Sequence, residues 1–433
     1  MSRQLKIFSK KMQRKLFKIF RIVFLALVIA FAFLIFVYYL NYLFRPFCLK
    51  LGYTLCAAEG EDFYALYQAA YNFFHNIFIY GESASSHLVT PYFMPFRYFP
   101  ASPFLIGWPF LLTNKPYLAY QIYLFFSLIL HCLSVYSLYL IAKKFNANKI
   151  IFGLVILIWF LYFPLLSEWR MGQFDHLSGM FFLLTVVLIL YNKKILSSIS
   201  WIISLAFKPI PILCFLYFFK TKNKFALTLF SIFFVGLTGI YLLYHQLYNP
   251  QAISTFLKTI FALGERTGWQ IHFIDNFGIP SLLGEIFFDH YKLIYKIISV
   301  VYPLSVLSFY FFVTLKLELK DHLVGISYLL FSLATVVIIH KELWEGWLNI
   351  WLPILCILFL MAKTKKERVF LLFNILILGT PSLFYFYEIS KTPFWRFLLI
   401  AEKAIPQLLI YLFLCLKLRG IILKQKFVKT INS

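Results

Sequence analysis

Long apolar runs separated by short polar breaks recur from one end of this chain to the other. Runs approaching or exceeding about 18 residues cross a bilayer as a helix, because only a helix satisfies its own backbone there. Such runs fall at residues 19–44, 117–141, 150–166, 177–191, 225–245, 293–315, 323–339, 369–387 and 397–416, with another after 347. The apolar segment 195–219 is different, because Lys208-Pro209-Ile210-Pro211 interrupts it. A proline pair ends a helix, so this segment is read as two half-spans hinged at the prolines. The pattern predicts about 12 transmembrane helices in an all-α polytopic membrane protein.

Two polar stretches are long enough to hold structure of their own. The first, residues 45–114, is expected to carry helices at 62–78 and 102–112 lying at the membrane interface, with Asp62 as the N-cap of the first. The second, residues 246–290, holds Glu265, Arg266, Trp269, His272 and Asp275. A loop of that length in a compact domain is usually functional. Residues 1–433 are read as one integral membrane domain.

Composition agrees: the chain is 62% hydrophobic and 13% charged, against about 25% charged in soluble domains. The net charge of +24 lies in clusters at the ends of apolar runs, among them Lys143/Lys144, Lys193/Lys194, Lys220/Lys222/Lys224 and Lys363/Lys365/Lys366. That is the placement of cytoplasmic loops, and it argues against nucleic acid as a partner. Both termini are then cytoplasmic. The basic start resembles a signal peptide, but its apolar run is long enough to span and no Ala-x-Ala follows, so it is read as a retained helix. Cys132, Cys214, Cys356 and Cys415 fall inside spans as small packing residues. Cys48 and Cys56 form either a disulfide or two free thiols.

With the basic loops inside, most acidic, His and Trp residues collect outside, where candidate chemistry must sit. Glu59, Glu61 and Asp62 stand together, followed by Arg97 and Tyr98, then Glu168, Arg170, Gln173 and Asp175, with His340, Trp344 and Trp347 further on. Lys208 at the proline hinge either reaches a cavity or snorkels to the interface. Asp62 is the candidate general base and Glu61 the reserve. Trp344 and Trp347 read as an aromatic belt, with sugar stacking open. No phosphate-binding glycine loop, dinucleotide fingerprint or metal-spaced Cys/His cluster occurs in the sequence. An external carboxylate beside cations suits transfer of a sugar from a lipid phosphate: the carboxylate takes the acceptor's proton and the cations receive the leaving phosphate.

Four blocks carry a resemblance. They are Asp62-Phe-Tyr with its aromatic run; Arg97-Tyr-Phe-Pro100 with Pro103 and Pro109; Gly172-Gln173-Phe-Asp175 with Lys208-Pro209-Ile-Pro211; and Asn276-Phe-Gly-Ile-Pro-Ser281-Leu-Leu. In this order they resemble the family 87 glycosyltransferases, polyprenyl-phosphate-mannose-dependent mannosyltransferases of the GT-C superfamily. The blocks cover residues 55–285, and the C-terminal third matches in hydropathy alone. Pro280 and the second proline after Lys208 depart from the family pattern. The resemblance implies a GT-C-like fold and an inverting single displacement with Asp62 as base. It implies no metal and no cofactor, a polyprenyl-phosphate sugar as donor, and a glycolipid or glycan as acceptor. Glu61, Arg97, Tyr98, Arg170, Gln173, Asp175, Lys208, Arg266 and His340 are the expected substrate-binding residues. The site is expected on the external face of a prokaryotic plasma membrane. The competing readings are a lipid or sugar transporter or flippase, which would also use broken helices, and a polysaccharide polymerase or ligase.

Overall fold

The computed structural model describes residues 59–260, 276–287, 292–319, 321–340, 343–380 and 393–432. The first expected span, Cys48, Cys56, Arg266, His272 and Asp275 lie outside them. Among the described residues there are helices and turns and no strand. In chain order the helices are α1 (Glu61–Phe74), α2 (Pro116–Lys144), α3 (Lys149–Leu161), α4 (Pro164–Met171), α5 (Asp175–Leu190), α6 (Lys194–Phe207), α7 (Phe215–Lys220) and α8 (Lys224–Phe230). They continue with α9 (Leu237–Gln246), α10 (Ala252–Ile260), α11 (Ile279–Phe287), α12 (Lys292–Lys316), α13 (His322–Ile339), α14 (Trp351–Met361), α15 (Lys365–Gly379) and α16 (Pro393–Asn432).

Five of the described helical runs are long and apolar enough to cross a membrane: Pro116–Lys144, Lys149–Met171, Lys224–Gln246, His322–Ile339 and Phe394–Gln425. Shorter apolar helices, α5, α6 and Val300–Lys316 among them, fill the space between. The chain is thus an all-α, multi-pass membrane protein. Polar caps start several helices at the basic loops. Asn148 accepts from Ile151 N at 2.9 Å, Asn223 from Ala226 N at 3.2 Å, and Thr364 and Glu367 form a reciprocal capping box.

The proline-broken segment folds back on itself. Pro209 denies helical backbone to the residue before it, and Lys208 is extended, with φ −155° and ψ 134°. The return limb then runs beside α6: the Trp201 ring packs on Phe218 at 4.7 Å, its Nε1 donates to Pro211 O at 3.0 Å, and Asn223 Nδ2 donates to Ser198 Oγ at 3.1 Å. On its other side α6 runs antiparallel to α5 through a serine seam. Ser178 Oγ donates to Ser204 O at 2.9 Å, and Ser204 Oγ returns to Ser178 O at 2.7 Å. Small hydroxyl residues let two apolar helices approach closely. The seam therefore sets the α6 end, with Lys208, beside the α5 start, with Asp175.

The first long loop is a small folded unit. Gln68 pins it by donating to His87 O and accepting from Val89 N, each at 2.8 Å, while Asn72 Nδ2 donates to Ala84 O at 2.8 Å. The helix α1 is covered on most sides: Phe63, Tyr64, Leu66, Tyr67 and Ala70 are all buried. Residues 103–112 form a π turn followed by a 3₁₀ turn. One expectation is corrected here. Asp62 is not the N-cap; Gly60 holds that position, no side chain caps it, and Asp62 lies one residue inside the first turn. Its carboxylate is therefore not committed to the helix's own backbone.

Candidate active site

The start of α1 is docked on the corner between α4 and α5. Gly60 N–H donates to Arg170 O at 2.9 Å. Gly172, at φ +71°, makes the corner, and a Cβ there would come within 2.6 Å of Phe63 Cβ. From α2, Tyr120 OH donates to Trp169 O at 2.7 Å and to Arg170 O at 2.9 Å, and Tyr123 OH donates to Gln173 O. Phe63 and Tyr123 also pack ring to ring at 5.1 Å. The acidic block of the first loop and the Gly-Gln-x-Asp block, about 110 residues apart in sequence, are thus one structural unit.

The corner holds a buried polar cluster. Asp175 Oδ2 pairs with Lys208 Nζ at 2.5 Å, with the side chains 0% and 2% exposed. Glu168, also buried, accepts from the His176 backbone N–H and from Asn349 Nδ2 at 2.6 Å. Behind it His131 Nδ1 and His176 Nε2 meet at 2.9 Å. Asp175 Oδ1 is buried and has no hydrogen-bond partner.

Asp62 faces this cluster from α1. Burial raises the proton affinity of its carboxyl above the ordinary aspartate value. The Lys208 ammonium, a hydrogen bond with Gln173 and the Arg97 guanidinium, in that order, hold it back. Tyr98 stands among the same charges. Burial first, then Asp62 and Asp175, push its phenol well above the ordinary range, so it keeps its proton as a donor. Glu61 is raised by burial and then by its neighbour Asp62, and it is the first of the charges acting on Tyr92.

A turn from the far end of the chain closes the cluster. Residues Glu345–Ile350 form a 3₁₀ turn between α13 and α14. Asn276 Oδ1 accepts from Leu343 N at 2.9 Å and from Gly278 N at 3.2 Å, and Phe277 N donates to Leu343 O at 2.8 Å. The fourth sequence block therefore anchors this turn. Gly346 lies against Gln173, Trp347 lies under Lys208 Nζ with 3.4 Å to the ring centroid, and the His340 ring stands 4.0 Å from Trp347.

Asp62, Arg97, Tyr98, Gln173, Asp175 and Lys208 are brought together, and His340 joins them through Trp347. Arg170 is not among the charges acting on Asp62; its guanidinium acts on Tyr120, and its carbonyl holds Gly60. Lys208 reaches the cluster and does not snorkel. Trp347, expected in an aromatic belt with sugar stacking open, lies beneath Lys208, and Asn349 has no mark in the sequence. A tryptophan near a span end looks the same in sequence whether it sits in a belt or beneath an ammonium. No group of three or more His, Cys, Asp or Glu arranged to hold a metal ion occurs among the described residues.

Two glycines give contrasting expectations. Gly172→Ala forces a side chain into positive φ and against Phe63, so it should lower stability by about 1–3 kcal/mol, read as thermal unfolding in detergent. Gly346→Ala would place a Cβ 2.0 Å from Gln173 Oε1, the far end of a flexible side chain. It should leave the melting temperature nearly unchanged while displacing the amide beside Asp62. Wild-type stability of Gly172→Ala would show that the docking of α1 does not depend on this corner.

An all-helical, multi-pass membrane protein with a buried carboxylate and cation cluster, against which a folded loop docks, is the class that this architecture defines. The sequence model of glycosyltransferase family 87 matches residues 96–339, more than half of the chain, and the protein belongs to that family. The match takes in the second, third and fourth blocks; Asp62 and the Glu345–Ile350 turn lie outside it. Neither a curated protein nor a solved structure matches the chain significantly. The protein is a membrane glycosyltransferase.

Proposed function

We propose that this glycosyltransferase moves a hexose, mannose first among the candidates, from a polyprenyl-phosphate sugar to a hydroxyl of a glycolipid or glycan. The transfer takes place on the non-cytoplasmic face. One observation carries the reading: the carboxylate of Asp62, at the start of α1, faces the buried Lys208–Asp175 pair, with Lys208 and Arg97 both among the charges that act on it. In a single displacement Asp62 accepts the acceptor hydroxyl's proton as that oxygen attacks the anomeric carbon. The bond to the phosphate oxygen breaks with inversion, and the departing anion's charge is met by Lys208 and Arg97. Asp175 Oδ1, buried without a donor, suits a sugar hydroxyl, since buried acceptors are rarely left unpaired. The buried Lys208 at the tip of a folded-back apolar segment supports a donor that arrives from the bilayer, because ionisable residues within apolar segments mark substrate pathways.

Membranes containing the protein are expected to transfer radiolabel from polyprenyl-phosphate-mannose to extractable glycolipid. A β-linked donor should yield an α-linked product. Transfer with retained configuration would overturn the single displacement. Absence of transfer from mannose, glucose and galactose carried on polyprenyl phosphate would overturn the donor class.

A further inference from the structure

The Glu345–Ile350 turn meets three members of the buried cluster in succession. Gly346 abuts Gln173, Trp347 lies under Lys208, and Asn349 Nδ2 donates to Glu168 Oε2 at 2.6 Å. The same Asn349 amide donates to Pro164 O at 2.8 Å and Gly346 O at 2.9 Å, and Tyr162 OH donates to Leu348 O at 3.0 Å. Together with the Asn276 contacts, these bonds fix the turn from three sides. Of its residues, Trp347 alone presents a π face to a buried cation.

We propose that Trp347 is a positioning residue for Lys208: its indole face and the Asp175 carboxylate together hold the ammonium at the place where it meets the leaving phosphate. The Lys208 side chain is long and its stem leaves an extended backbone residue at a hairpin tip, so one carboxylate contact does not fix the direction of the head group. A second contact across the ammonium does. An indole face suits that task because it attracts the cation through its quadrupole and lacks the lone pairs that a further carboxylate or carbonyl would bring. The ammonium keeps a hydrogen for an incoming anion, and its full charge is not cancelled by a second carboxylate in contact. The His340 ring against Trp347 limits the indole's freedom. This arrangement also argues against sugar stacking on the indole face that Lys208 covers.

The inference rests on the proposed lipid-phosphate donor only for its consequence, not for the contact itself, and two measurements keep the two apart. In transfer assays, Trp347→Leu is expected to lose about tenfold or more in kcat/KM for the lipid donor, and Trp347→Phe, which keeps a ring face, about threefold or less. In a background lacking the ammonium, Lys208→Met, Trp347→Leu should cost less than about twofold, because the partner through which it acts is gone. Where Lys208→Met folds too weakly, Asp175→Leu/Lys208→Met removes both charges and serves as the background. Multiplying losses would mean that Trp347 touches substrate directly, and the proposal falls. The second measurement needs no substrate: fluorine NMR of protein labelled with fluorotryptophan, with the Trp347 resonance identified by its absence in Trp347→Phe. Lys208→Met, or the double variant, should move that resonance while the other tryptophan signals stay in place. An unmoved resonance overturns the contact. A moved resonance in a protein that transfers no sugar leaves the contact standing and removes the donor reading alone.

Discussion

Asp62→Asn is expected to abolish sugar transfer while leaving the protein folded. The substitution keeps the shape of the side chain and its place in the first turn of α1. It costs no helix cap, because Gly60 occupies the N-cap position and no side chain caps it. It removes the one property that the proposed step needs, a carboxylate able to take a proton. General-base catalysis is worth about 10²–10⁴-fold, so kcat should fall by that order. KM for the donor should change little, since Lys208 and Arg97 remain. Glu61→Gln makes the paired control. Glu61 lies next to Asp62, but neither Lys208 nor Arg97 is among the charges acting on it, so its loss should cost no more than a few-fold. Initial rates with radiolabelled lipid donor, normalised to folded protein, decide the matter. If Asp62→Asn keeps more than about a tenth of wild-type activity, the base lies elsewhere, and Glu61 is the next residue to test.

The expected pH dependence follows from the same site. Transfer requires ionised Asp62, and burial raises its proton affinity. Activity should therefore fall on acidification at a higher pH than an exposed aspartate would give, and be fully present above that point. An acid limb at the ordinary aspartate value would show that water reaches the carboxylate in the working enzyme.

Much of this was legible in the sequence because hydropathy and charge placement follow from the bilayer itself. The long runs, the basic loops and the proline break in 195–219 all have direct physical causes, and the hairpin forms where Pro209 and Pro211 place it. Asp62, Gln173 and Asp175 are all expected site residues from the sequence, but no spacing rule shows that Gly172 must pack on Phe63. The sequence does not separate Asp62 as a cap from Asp62 as the second residue of the helix, because a carboxylate suits either place; the backbone at Gly60 decides it. Trp347 and Asn349 were hidden for a different reason. Their partners, Lys208 and Glu168, lie more than 130 residues earlier, and only the fold-back of the chain shows which cation the tryptophan covers. The short Trp-rich turn carried no mark that separated it from an interfacial belt.

Lys208→Met carries the second large effect, and it has two parts with different causes. The first is stability. Lys208 and Asp175 are buried together, and removing one partner of such a pair leaves an uncompensated buried charge, at a cost of about 3–5 kcal/mol. Asp175 is poorly placed to absorb the loss, since its Oδ1 already lacks a partner and its neighbours include Asp62 and Glu168. Thermal unfolding in detergent should show a clear drop for Lys208→Met and recovery of most of it in Asp175→Leu/Lys208→Met. Apolar side chains of similar volume replace a buried pair at little cost. Equal stability of the single and double variants would mean that the pair is not coupled. The second part is chemical. The Lys208 ammonium is the foremost of the groups that hold down the proton affinity of Asp62. Without it that affinity rises further, and the acid limb of the pH profile should move to higher pH, because ionised Asp62 then appears only in more alkaline solution. At a pH well above the limb, the loss that remains measures what the ammonium does for the departing phosphate alone. Arg97→Gln should shift the limb in the same direction but less, since Arg97 stands behind Lys208 and Gln173 among the groups acting on Asp62. A limb that stays in place in Lys208→Met would show that Asp62 does not feel the hairpin tip during turnover, and the base and the phosphate site would have to be assigned to separate places in the protein.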